Sequence, residues 1–461
     1  MALPWLIGLA SCNSWGKFWQ LPFNAVASGN GAVTGFPASG PFTVDFTAAI
    51  DIGSVSANTN IGSATCSGSV QVSLDNFASC LSLKSPTLAN NDTRLVITPL
   101  PFLKPLTTYK VRVTTALKSN QGVALSSDYT SDTYTTKDFG KWVFTGNFTS
   151  ANLSYATLNQ STGNVSAFAT VANGSLTIPL AMDPGGRVVI SSHNTGTSLN
   201  YSSINQTTGV PSAGSTYADV TFNRGFVFHP TLSTLYGAGN NSTVTQYSIN
   251  MNTGAPLSAA NLSLPGSSLT GIGIHPTGKY VYVSSNSNDQ IYTVQIDQAS
   301  GSLTSLVGQV ATGGASPVTP VIESSGSYLY SANNTPQTMS YYSISQSTGL
   351  LTLLGTVSVG NNPQGATIDP TGRFVYIVNT SGPSVSVFSI NSANGFPNPV
   401  QTLSVANFPT FIAIEASGRF AVVSYGSTTN QVGSYSIDAQ TGALTQINLQ
   451  AATNAQGIAV Y

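Results

Sequence analysis

From Lys141 onward the chain alternates short apolar stretches with small polar ones at a fixed beat. TGIGIHPTGKYVYVSSNSNDQIYTVQIDQASGSLTSLVGQV, Thr270 to Val310, shows the pattern in full. Its Val, Ile and Tyr come in short runs, alternating in TGIGI and continuous in YVYV, and Gly, Pro, Asn and Ser stand between the runs. That spacing suits pleated strands and tight turns rather than helix. The segment divides into four strands. Strand A precedes the Pro turn (TGIGI), strand B follows it (KYVYVSSN), strand C is QIYTVQID, and strand D is SLTSLVGQV.

The same unit recurs. A turn of the form x-Pro-x-Gly appears, with variations, at Asp183, His229, His275, Glu323, Asp369 and Glu415, in steps of 46, 46, 48, 46 and 46 residues. A Gly turn between strands C and D appears at Gly163, Gly209, Gly254, Gly301, Gly349, Gly395 and Gly442. A period in the forties with four strands per unit marks a β-propeller. Seven Gly turns against six Pro turns leave one unit incomplete. The chain enters at GKWVFTGN on a strand B, and its last residues, NAQGIAVY, read as a strand A with nothing after it. Pairing these two pieces predicts a ring of seven blades, closed by the C-terminal strand in the first blade, where an unclosed ring would leave raw sheet edges.

Residues 23–137 lack this period. PFTVDF, SVQVSL, RLVITP, TYKVRVT and SDTYTT read as short strands of a β-sandwich. The expected organisation is therefore all-β: 1–22 a leader and tether, 23–137 an Ig-like sandwich, 138–461 the propeller.

GPFTVDFTAAIDIGSV, RLVITPLPFLKPLTTYKVRVTTALKSNQGVAL and YTSDTYTT resemble the Ig-like domains of bacterial surface-layer and envelope proteins, with Ile50-Asp51, Pro105 to Tyr109 and Gly122 in matching places. The resemblance implies a spacer without chemistry of its own. HPTGKYVYVSSN and DPTGRFVYIVN resemble the YVTN-type propellers grouped with the 6-phosphogluconolactonase-like lactonases. That resemblance implies the seven-bladed fold and, as an activity, hydrolysis of a sugar lactone. The members' Arg-His pair before the Pro turn is not matched by NFPTFIAIE or NPQGATID, no DLGxD segment occurs, and the B strands end in Asn. Leu9-Ala10-Ser11-Cys12 resembles a bacterial lipobox, although no Lys or Arg precedes it. It implies a lipid on Cys12; the alternative is a plain thiol. Cys66 and Cys80 are then left as a pair, either a disulfide in an exported protein or two reduced core thiols.

Charge narrows the function further. Charged residues are 6% of the chain, against roughly 25% in ordinary soluble proteins, and the formal net charge is -1. The 14 basic residues form no cluster, which argues against nucleic acid. No apolar run reaches the roughly 18 residues of a membrane helix. No motif for a metal, a cofactor or a catalytic triad is found.

Most charges of the propeller are locked to the repeat and read as turn residues. Asp183, His229, His275, Glu323, Asp369 and Glu415 open the Pro turn; Lys141, Arg187, Lys279, Arg373 and Arg419 follow it; Asp297 and Asp438 precede the C–D Gly turn. The Asn ending strand B (Asn147, Asn194, Asn240, Asn286, Asn334 and Asn379) reads as an Asx-type turn residue or, as a lesser reading, part of a sugar-binding ring.

In the propeller only His193, Asp219, Arg224 and Asp289 are titratable and off the pattern. His193 and Asp289 fall in B–C loops, Asp219 and Arg224 in a D–A loop, and both loop types open on one face. They are either a ligand face or loop residues turned to water. His193 is the one candidate catalytic base. Two functions fit: a binding or structural lipoprotein of the bacterial cell envelope, membrane-anchored or secreted, whose polar loop face meets a protein or glycan; and a lactonase-type hydrolase. The sequence leans towards the first, because a phosphorylated substrate requires more than one cation.

Overall fold

In a computed structural model the described residues are 23–26, 32–36, 41–59, 65–99, 103, 107–136, 141–147, 150, 152–173, 177–193, 198–205, 207–218, 223–230, 232–239, 241–406, 408–426 and 430–461. Cys12 lies outside them. The chain divides into two compact units, Met1–Lys137 and Asp138–Tyr461. Among the described residues there is no α-helix, and no helix long and apolar enough to cross a membrane.

The first unit holds two sheets. One orders Ala25–Val26, Phe42–Phe46, Arg94–Ile97 and Thr87–Ala89; the other orders Val33–Phe36, Tyr134–Thr136, Thr108–Val113 and Val70–Ser73, with Tyr129–Thr130 beside Thr108–Val113. The period-two pattern explains the packing. In TYKVRV, Tyr109, Val111 and Val113 are buried while Lys110 and Arg112 stay partly exposed. Phe42 stacks on Phe36 at 4.6 Å and meets the edge of Tyr134 at 5.0 Å.

Cys66 and Cys80 form a disulfide. The segment between them is only half regular. Val70–Ser73 is a strand, but the return is an irregular turn built on Asp75. The Asp75 carboxylate accepts from the Ser79 hydroxyl (2.5 Å), from the Ser79 amide (2.9 Å) and from the Ser73 hydroxyl (2.7 Å). These bonds, those from Ser79 first, hold its pKa down to about 2.

The second unit is a ring of seven four-stranded antiparallel blades. In the fourth blade the strands run from the centre outward as A Leu269–Ile274, B Tyr280–Ser285, C Gln290–Ile296 and D Leu303–Ala311. Strand B is buried along its whole length, because neighbouring blades cover both faces, and strand D alternates at the rim. The first blade is shared as expected. Ala455–Val460 is its strand A and pairs antiparallel with Trp142–Asn147 from Val143↔Val460 to Asn147↔Ala455. The fifth blade departs from the pattern: its strand A is split into Ala315–Pro317 and Val321–Ile322.

Repeat-locked residues join blade to blade. Tyr236, Tyr282, Tyr330 and Tyr376, one per strand B, each donate the phenolic hydrogen to the carbonyl of the next blade's C–D turn glycine: Gly301 (2.6 Å), Gly349 (3.0 Å), Gly395 (2.8 Å) and Gly442 (2.9 Å). These phenols are buried, which raises their pKa. The glycine itself is required. Gly442 has φ 79°, and a Cβ there would run into the Phe374 ring.

The first residue of each Pro turn is a buried cap. The Asp369 carboxylate accepts from the amides of Arg373 (2.7 Å) and Phe374 (2.6 Å), and Glu415 from those of Ser417 (2.7 Å) and Arg419 (2.8 Å). The two histidines do the same work with Nδ1. His229 accepts from the Leu232 amide (3.0 Å) and His275 from the Thr277 amide (3.3 Å). His275 Nε2 therefore carries the proton and donates it to the Gly326 carbonyl at 3.0 Å. Burial lowers the pKa of both rings from the ordinary 6.5.

The sign of the resulting pH dependence follows. The unfolded chain takes up protons on these rings below 6.5 while the folded chain resists, so the stability they contribute is present above that value and lost as pH falls. The thermal midpoint should drop between about pH 7 and about pH 5. Replacing both rings with the carboxylate used elsewhere in the repeat, as His229→Asp with His275→Asp, should flatten that part of the profile in a melting series. An unchanged slope would place the titration elsewhere.

Candidate functional site at the mouth of the central channel

The A strands ring the axis, and the residue that matters is the second of each or, in the second blade, the third. In six blades the pairing of A with B shifts register just there: between Thr177 and Leu180, Asn223 and Gly225, Leu269 and Gly271, Pro363 and Gly365, Pro409 and Phe411, and opposite Gly146 and Asn147 in the first blade. Each shift is a β-bulge, which puts an extra residue into the inner strand and re-aims its side chain. The bulged residues are Pro179, Arg224, Thr270, Gln364, Thr410 and Gln456, and all six line one cavity of about 340 Å³. The fifth blade, lacking a regular strand A, adds Ser316, Pro317, Val318 and Thr319; Phe411 and the B-strand exits Asn286 and Asn334 complete the lining.

Chemically the cavity is a ring of amides and hydroxyls around one cation. Arg224 is its single charged lining residue. No carboxylate or imidazole lines it among the described residues. Among these residues, no group of three or more His, Cys, Asp or Glu is placed to hold a metal ion.

The four off-pattern residues separate. Arg224 belongs to the site, but it lies within strand Asn223–Phe228 rather than in a D–A loop, because the bulge lets a strand residue face the channel. Asp289 stands in its B–C turn with φ 51°, and its carboxylate accepts from the Ser316 amide at 2.8 Å. It therefore supports a lining segment without lining the cavity itself. His193 ends strand Val188–His193, its backbone opposite Thr177; its side chain lies outside the described residues. Asp219 also lies outside the described residues.

The asparagine series needs correction, since it mixes two positions. Asn147, Asn333 and Asn379 are the equivalent last paired residues of strand B. They are buried, and each donates to a strand C serine: Ser154 (3.0 Å), Ser340 (2.8 Å) and Ser386 (2.9 Å). They are scaffold. Asn286 and Asn334 stand one residue further on, where they meet the cavity. In the repeat, His193 occupies the scaffold position.

Comparison with known proteins agrees with this geometry. The family described as Lactonase, 7-bladed beta-propeller matches residues 215–364 and 361–460, more than half of the chain. The chain belongs to that lactonase propeller family. The bacterial Ig-like domain matches residues 24–146.

Solved structures share the fold of the second unit. A putative 6-phosphogluconolactonase from Bacteroides fragilis is 20% identical at a TM-score of 0.61, covering 70% of this chain and 98% of its own. The periplasmic gluconolactonase of Pseudomonas aeruginosa is 15% identical at a TM-score of 0.60, covering 69% and 98%. A Lactobacillus plantarum protein is 17% identical at a TM-score of 0.61, covering 70% and 99%. A comparison with curated proteins found no match.

Proposed function

We propose that the propeller is a sugar-lactone hydrolase acting on an unphosphorylated aldonolactone at the channel mouth. The observation that carries this reading is the lining: one guanidinium set among amide and hydroxyl side chains, in a chain of the lactonase propeller family. The amides of Gln364, Gln456, Asn286 and Asn334 suit the hydroxyls of a sugar ring, being both donors and acceptors. Arg224 suits the lactone carbonyl, whose oxygen gathers negative charge as water attacks; a fixed cation in a confined site stabilises that oxyanion. An amide oxygen of the ring orients the attacking water. As the ester bond breaks, the ring oxygen leaves and takes up a proton, giving the open-chain acid. A phosphate dianion elsewhere on the same substrate would compete for the single cation.

Export to the bacterial cell envelope belongs to the same proposal. The Cys66–Cys80 disulfide and the Ig-like domain support it, and a lipid on Cys12 would anchor the chain. A second reading draws on the lack, among the described residues, of a carboxylate or imidazole in the lining: a propeller that holds a glycan or sugar acid without turning it over, displayed on an Ig-like spacer.

The deciding assay follows acid release from gluconolactone and from 6-phosphogluconolactone. Acceleration of the first over its spontaneous opening is expected, with kcat/KM at least about tenfold lower for the second. Tight binding of gluconolactone without acceleration would support the binding reading. A preference for the phosphorylated lactone would refute the assignment of the cavity.

A further inference from the structure

The fifth blade follows the only 48-residue step between the Pro turns, from His275 to Glu323, and the two extra residues fall ahead of its inner strand, since Pro317 to Glu323 covers the same six steps as Pro363 to Asp369. The inner strand itself forms a wall. Where other blades give the cavity one or two inner-strand residues, this one gives Ser316, Pro317, Val318 and Thr319 in succession. Hydrogen bonds tie down the wall at Ser316, Pro317 and Val318. The Thr270 hydroxyl donates to the Pro317 carbonyl (2.6 Å), the Ser331 hydroxyl to the Val318 carbonyl (2.9 Å), and the Val318 amide to the Ala332 carbonyl (2.9 Å). Gly271, in the adjoining blade, admits the wall's backbone, since a Cβ there would collide with Thr319.

At the wall's leading end stands Asp289. Its carboxylate holds the Ser316 amide, Ser316 sits at φ 56°, and the Asp289 carbonyl accepts from both the amide and the hydroxyl of Thr312 (3.0 Å each). The seventh blade supplies a natural control. Asn430, also just before strand C and at φ 47°, uses its amide oxygen to accept from the Asn454 amide at 2.7 Å, next to the strand that carries Gln456. The shared requirement is an acceptor at this position, met by a neutral amide in one blade and by a carboxylate in the other.

We infer that the Ser316–Thr319 wall determines which ligands the channel mouth accepts, and that Asp289 is the residue that positions it. Pro317 and Val318 give the ring an apolar side on which the C–H face of one sugar ring rests. The wall closes the space that a second ring or a large substituent would occupy. Selection for a single small ring follows from shape, apart from the charge selection made by Arg224. The inference rests on the lactone reading of the site, so its test carries one arm that does not.

Three variants and two readouts test it: Asp289→Ala, Asp289→Asn, and deletion of Val318 and Thr319, which takes two residues out of the wall. In turnover, Asp289→Ala should raise KM for gluconolactone about tenfold with kcat within about twofold, and Asp289→Asn should restore KM because the acceptor is kept. The deletion should admit a disaccharide aldonolactone that the parent rejects. In the second arm, Gln456→Cys is placed in each background and labelled with a small and a bulky methanethiosulfonate reagent, with the Gln456 protein as blank. The bulky-to-small rate ratio should rise about tenfold in the deletion and in Asp289→Ala, and stay at the parent value in Asp289→Asn. A raised ratio in a protein that turns over no lactone would keep the wall and reject the lactone reading. Unchanged ratios and unchanged substrate preference in both Asp289→Ala and the deletion would overturn the inference, and so would Asp289→Asn behaving like Asp289→Ala.

Discussion

Removing Ala455 to Tyr461 is expected to abolish the cooperative unfolding of the propeller rather than trim one edge. This strand is the inner wall of the first blade. Its ladder to Trp142–Asn147 ends in a reciprocal pair, the Trp142 amide donating to the Tyr461 carbonyl at 2.6 Å and the Tyr461 amide to the Trp142 carbonyl at 2.9 Å. Ala455 and Ile458 are buried in a cluster with Val143, Val422 and Val432, so the strand links the first blade to the seventh. On the other side, the Tyr461 ring fills the space above Gly186 in the second blade. Each lost ladder bond costs about 1 kcal/mol net, and each buried apolar side chain about 1.5–3 kcal/mol. The sum consumes the 5–15 kcal/mol by which a typical domain is stable. Calorimetry on the truncated chain should show the propeller transition lost or lowered by tens of degrees. A synthetic peptide of residues 455–461 should recover part of it. A midpoint within a degree or two of the parent would refute closure by this strand.

Arg224→Ala is expected to lower kcat for gluconolactone by about 10²–10³, the usual cost of deleting one oxyanion-stabilising donor. The melting temperature should stay close to the parent's, because the side chain is exposed at the channel mouth and its neighbour Gly225 keeps the bulge. Arg224→Lys should recover only part of the loss, since an ammonium cannot reproduce the planar fork. Equal losses in kcat and in stability would instead make Arg224 a structural residue.

Much of the fold was legible because turns impose rigid demands. The seven C–D glycines from Gly163 to Gly442 must sit at positive φ, from 69° at Gly209 to 81° at Gly254, against the preceding blade, so they recur wherever a blade recurs. The caps from Asp183 to Glu415 recur because the Pro turn leaves amides that need an acceptor. Even the split first blade could be read, since NAQGIAVY begins as NPQGATID does. The site was less legible for the opposite reason. Channel residues differ from blade to blade, so Thr270, Gln364, Thr410 and Gln456 look like the rest of a Ser-, Thr- and Asn-rich chain, and only the charge of Arg224 set it apart. The signal that could have found them was position: each is the second residue of its A strand, and Gln364, Thr410 and Gln456 follow one another at 46-residue steps. That they face the channel depends on a bulge, which the hydrophobic pattern does not encode. Asn333 and Asn334 were confused because they are adjacent and identical in type, while their burial places one in the scaffold and the other at the cavity.

The most direct test of the central claim is a crystal structure of the protein soaked with gluconate, the product of the proposed reaction. One sugar acid should appear at the channel mouth, its carboxylate on the Arg224 guanidinium, its hydroxyls on Gln364 and Gln456, and its carbon face against Pro317. Sugar acid bound elsewhere, or a mouth left unchanged while solution assays still show turnover, would contradict the account.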